Sequence, residues 1–220
     1  MVRRRSLLGA AAGAGAFGLL AAGPAGAAER EAGRWRGDTS VNGWRIDPAA
    51  VAAHRVEGSR ASVVLRRGEA TAVLLHVARR WHYEIGRLDT GEGGGIAGHA
   101  TGRDVGADFE SNYLSGTAVA LYPTAYPLGG GERLWPHHEA IVRDILVDCD
   151  GTVVWGGDLL PAKASHFHLA ARPGDRALAR VGARLGTGQR PGARSQTAGA
   201  VADPATPARR EAARRLPRPR

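Results

Sequence analysis

Ser111-Asn112-Tyr113-Leu114-Ser115-Gly116-Thr117-Ala118-Val119-Ala120 is the segment on which the fold turns. A polar run ends at Gly116. Thr117–Tyr122 then reads as a strand, and Pro123 stops it, because proline has no N–H to give a central ladder. Working outward, Ala61–Arg66 carries a β-branched pair and reads as a short strand, with Arg67-Gly68 as its turn. From Glu69 the apolar spacing lengthens. Val73, Val77 and Trp81 recur every four residues, and Ile85 and Leu88 extend the stripe, which predicts a helix. Thr90–Gly106 is glycine-rich and reads as a loop, as does Pro127–Glu132. Pro136–Cys149 reads as a helix with Ile141, Ile145 and Leu146 on one side, and Pro136 suits its first turn. Asp150-Gly151 is a turn, Thr152–Trp155 a strand broken by Gly156-Gly157, His166–Ala170 another strand and Asp175–Leu185 a last helix. The connections are too short for parallel crossovers. They predict an α+β domain with a small antiparallel sheet flanked by helices.

Charge separates the ends from the middle. The 220 residues carry a net +9, of which residues 1–27 contribute +3 and residues 186–220 contribute +6. The part between them is neutral, so a basic nucleic-acid-binding face is not expected on the fold. Met1–Arg5 is basic, Leu7–Ala22 is apolar, and Ala25-Gly26-Ala27 offers small residues for cleavage. Residues 1–27 therefore read as a signal peptide, and Arg4-Arg5-Ser6-Leu7-Leu8 resembles a twin-arginine motif. The expected location is secreted, extracellular or in the cell wall, with no stable membrane insertion after cleavage. Residues 28–60 read as a lead-in and 61–185 as the folded domain. Residues 186–220, rich in Pro, Ala, Arg and Gly, read as a disordered basic tail, because they offer too little apolar surface to offset chain entropy. The single cysteine, Cys149, allows no intrachain disulfide and reads as a small buried apolar group.

Three motifs in order carry a resemblance. Ser111, Gly116 and Ala118 fit the pattern Ser-x-His-x-x-Gly-x-Ala-x-Asp, Trp155-Gly156-Gly157-Asp158 ends a strand, and His166-Phe167 follows. Over roughly residues 69–170 the chain resembles the zinc D-alanyl-D-alanine carboxypeptidase and dipeptidase family, which includes endolysin L-alanyl-D-glutamate endopeptidases. The resemblance implies that family's fold. It also implies a zinc held by the motif His, the motif Asp and the late His, with a carboxylate as general base for the metal-bound water. Here Tyr113 stands at the His position and Ala120 at the Asp position. Alanine offers no lone pair, and a phenol with a pKa near 10 is an uncommon zinc ligand. His166 and His168, which share one face of a strand, are left as an incomplete metal set. Lys163 stands three residues before His166, where the family usually has an acid, and Asp158 becomes the candidate general base. Ser111, Tyr113, Gly116, Tyr122 and Trp155 are the expected binding cleft. His76, His82, His99, His137 and His138 are further places from which a metal site could be rebuilt. The resemblance, with its departures, implies a non-catalytic, zinc-free, wall-associated domain that binds a peptidoglycan stem peptide or a wall-associated protein. The alternative is an active metallopeptidase that hydrolyses stem peptides with a rearranged zinc site.

Overall fold

A computed structural model describes residues 33–186 and 203–217. The segment read as an export signal, residues 1–27, lies outside the described residues. In chain order the elements are β1 (Gly33–Arg34), β2 (Val51–Arg55), β3 (Ser62–Arg66), α1 (Glu69–Glu84), β4 (Ile96–Ala97), β5 (Asp104–Val105), α2 (Ser111–Leu114), β6 (Ala118–Leu121), α3 (Pro136–Asp148), β7 (Val153–Trp155), β8 (His166–Leu169), α4 (Arg176–Leu185) and α5 (Pro207–Arg215). The class is α+β. A four-stranded antiparallel sheet runs β4-β6-β8-β7, beside the two-stranded pairs β2-β3 and β1-β5.

The helix expected from the four-residue recurrence forms as α1 and buries Val73, Val77 and Trp81 completely. Side chains alternate across a strand, and the sheet uses both faces differently. Phe167 of β8 is paired with Val119 of β6 on one side and with Trp155 of β7 on the other. These three, with Leu121 and Leu169, join the stripe of α1 and Val142 and Ile145 of α3 in the main core. The residues between them, Ala118, Ala120, His166 and His168, take the reverse face. There Ala120 lies opposite His166 and Ala118 opposite His168. Helix α4 closes on α1, its start capped by the Asp175 carboxylate, which accepts from the amides of Ala177 and Leu178.

Two segments differ from the sequence reading. The lead-in is part of the fold: β2 pairs with β3 along all five of its residues, and Trp44 and Val56 are buried in the main core. No domain boundary falls at residue 61, because β3 would be left without its partner. In the tail, Pro207–Arg215 is the helix α5 rather than unstructured chain. Its composition is poor in apolar residues, but charge holds it. Arg209 donates to both Asp144 and Asp148 on α3, and Leu216 packs against the core. Among the described residues no helix is long and apolar enough to cross a membrane.

Candidate functional site

The reverse face of the sheet carries the chemistry. Helix α2 is a single turn whose position is fixed by a buried polar network. Ser111 Oγ donates to the Asp108 carbonyl at 2.6 Å and accepts from the Val41 amide at 2.9 Å. Ser115 Oγ accepts from Ser40 Oγ at 2.8 Å. The turn then reverses at Gly116, whose φ of +70° favours glycine. A Cβ at Gly116 would stand 2.8 Å from the Arg66 amide nitrogen, which donates to the Gly116 carbonyl. This anchoring brings Tyr113 over β8.

The result is a chain of three rings. Tyr113 Oη lies 2.7 Å from His166 Nδ1, and His166 Nε2 lies 2.9 Å from His168 Nδ1. Tyr113 meets His166 edge-on with centroids 5.0 Å apart, and Phe109 covers His166 at 4.8 Å. His166 is fully buried and His168 is 8% exposed. Burial, with His168 and the Lys163 ammonium nearby, holds His166 well below the ordinary imidazole range, and burial alone lowers His168 to about 4. Both rings are therefore neutral at pH 7. A neutral imidazole has one donor and one acceptor, so the chain has two polarities. If His168 donated inward, His166 would donate to Tyr113 and the phenol proton would have no acceptor among the described residues. If Tyr113 donates to His166 Nδ1, His166 Nε2–H donates to His168 Nδ1, and the one proton left over lies on His168, the ring of the chain that is not fully buried. The second polarity wins, since an unpaired buried donor costs about 1–3 kcal/mol. It leaves His168 Nε2–H as the donor at the end of the chain.

An ion pair stands beside the rings. Lys163 Nζ is 2.6 Å from Glu110 and 5.0 Å from the centre of the Tyr113 ring. Burial, reinforced by the Glu110 carboxylate, raises the Tyr113 phenol well above its ordinary value and so disfavours phenolate. Phe109 and Glu110 were not anticipated from sequence. The only hint was that they directly precede Ser111.

The residues that would hold zinc do not fit it. Both nitrogens of His166 are engaged in hydrogen bonds, the phenol facing it is held protonated, and the residue directly across the ladder is the methyl of Ala120. Among the described residues no group of three His, Cys, Asp or Glu side chains is placed to hold a metal ion. The other histidines have separate surroundings: His76 bonds to Asp148, His82 accepts from the Leu88 amide, and the His137 and His138 rings touch at a tilt of 59°. His99, whose amide donates to the Val64 carbonyl, has its ring held below the usual imidazole value by burial.

Of the expected cleft residues, Tyr113 alone joins the histidine pair. Ser111 and Gly116 shape the turn that positions it. Tyr122 and Trp155 belong to the main core, with Tyr122 edge-on to Trp81 and Trp155 paired with Phe167. Asp158, the expected general base, has both carboxylate oxygens bound by the guanidinium of Arg143, which lies over the Trp155 ring. Both oxygens of Asp158 are therefore engaged within the fold, on the side of β7 that carries Trp155. Compared with known proteins, the chain matches no family model, no curated protein and no solved structure.

Proposed function

We propose that this chain is an exported, wall-associated domain related to the zinc D-alanyl-D-alanine peptidases, that it does not hydrolyse peptides, and that it binds a peptidoglycan stem peptide or a wall-associated protein. One observation carries the non-catalytic reading. His166 spends both ring nitrogens on Tyr113 and His168 instead of offering one to a cation. Two further observations support the relationship. Tyr113, Ala120 and His166, the positions singled out by the motif, meet on one sheet face. The lysine at the place of the usual acid is paired with Glu110. In this reading His168 Nε2–H is the donor offered to a carbonyl or carboxylate oxygen of the bound partner.

Metal content and wall binding test the proposal together. The purified mature chain, starting at Ala28 by N-terminal sequencing, is expected to hold no stoichiometric zinc and to sediment with purified peptidoglycan. His168→Ala is expected to weaken that sedimentation. The double variant Tyr113→His with Ala120→Asp is expected to gain zinc, because it returns two ligands opposite His166. One zinc per unaltered chain, with release of D-alanine from wall fragments, would overturn the proposal.

A further inference from the structure

The tip of the β2-β3 hairpin and the segment after α1 border an open surface pocket of about 420 Å³, whose lining includes Arg55, Glu57, Ser59, Arg60, Arg87 and Asp89. Its size lies within the ordinary range for small-ligand sites, and three of its residues are arginines. The hairpin tip is held rigidly. The Val56 amide donates to the Ala61 carbonyl at 3.0 Å, the Ser59 amide to the Val56 carbonyl at 3.1 Å, and the Ala61 amide to Ser59 Oγ at 2.9 Å. The Arg60 amide donates to Asp89 at 3.0 Å, which fastens the tip to the segment beyond α1.

The two carboxylates are already committed. Glu57 is paired with Arg79 at 2.8 Å, outside the lining. Asp89, whose side chain is 4% exposed, accepts from the Arg60 amide and from Arg87 Nε. The guanidiniums are not. Arg55 uses its Nε–H on the Ser59 carbonyl and Arg87 uses its Nε–H on Asp89, while the Arg60 side chain makes no bond among the described residues. Each guanidinium carries five N–H groups in a planar fork, so the terminal amino groups of all three are without an acceptor among the described residues.

From this geometry we infer a binding site for a small phosphate-bearing ligand, independent of the histidine face. A tetrahedral dianion offers oxygens in several directions and can accept from guanidiniums carried on two separate segments, Arg55 and Arg60 on the hairpin and Arg87 after α1. A planar carboxylate has its two oxygens on one side and serves one fork at a time. Either the free ion or a phosphate ester supplies the required chemistry.

Calorimetric titration of the full chain at constant ionic strength tests this with inorganic phosphate, glycerol phosphate and acetate. Saturable binding of a phosphate species at one site per chain is expected, with acetate at least about tenfold weaker. Arg60→Gln and Arg87→Gln are each expected to weaken phosphate about tenfold, the value of one charge-assisted hydrogen bond. Arg60→Gln removes no side-chain bond among the described residues, so its near-ultraviolet dichroism is expected to match that of the unaltered chain. Tighter binding of glycerol phosphate assigns an ester, and tighter inorganic phosphate assigns the free ion. Binding that does not saturate, acetate equal to phosphate, or phosphate affinity unchanged in the Arg60 and Arg87 variants would overturn the inference; the last would place the anion on other arginines.

Discussion

His166 is the middle ring of a hydrogen-bonded chain. The arrangement is physically coherent. A phenol donates to Nδ1, and the second histidine accepts from Nε2, so a buried ring meets both of its needs without a cation. Tyr113→Phe removes the donor and leaves Nδ1 buried and unpaired. We expect a loss of about 1–3 kcal/mol in unfolding free energy, read from urea midpoints. The neutral pair also gives stability a sign with pH. Unfolded imidazoles titrate near 6.5, whereas in the fold His168 lies at about 4 and His166 well below its ordinary value, both through burial. Between those values the unfolded chain takes up protons that the folded chain does not. Stability is thus full above pH 6.5 and declines as pH falls toward 5, by about 1.4 kcal/mol per pH unit for each histidine. A flat urea midpoint over that interval would contradict the neutral pair.

At the scale of elements, local pattern and distant partner contribute unequally. Strands β6, β7 and β8 form within a residue of where spacing placed them, and α1 starts at Glu69 as expected but ends at Glu84, short of Leu88; each carries its own apolar signal. Strand β2, Val-Ala-Ala-His-Arg, has little such signal and exists through its ladder with β3. Helix α5 is the extreme case. Its docking depends on Arg209 meeting Asp144, which is 2% exposed, and Asp148, where Arg80 already contributes one positive charge. Arg209→Ala is expected to release α5, raise amide exchange across residues 207–215 and cost about 1–3 kcal/mol, since charge-assisted bonds are lost from a largely buried acid. Unchanged exchange in that segment would show that the salt bridges do not hold the helix.

At the scale of the whole molecule, the lead-in decides whether there is a domain at all. A chain beginning at residue 61 lacks β2, Trp44 and Val56, and it loses the Ser40–Ser115 contact that steadies α2. Such a truncation is expected to lose cooperative unfolding and near-ultraviolet dichroism. A chain beginning at residue 33 is expected to keep both. The amino-acid sequence by itself determined the α+β class, the core stripe of α1 and the shared face of His166 and His168, because these follow from periods of two and 3.6 residues along a local backbone. Tertiary structure alone decided that Ala120 faces His166, that Tyr113 reaches His166 Nδ1, that Trp155 turns into the core and that Asp158 is held by Arg143. Each of these depends on strand register or on a contact between residues far apart in the chain. No local period encodes the free energy of such pairings, which is set by the partners once the core has brought them together.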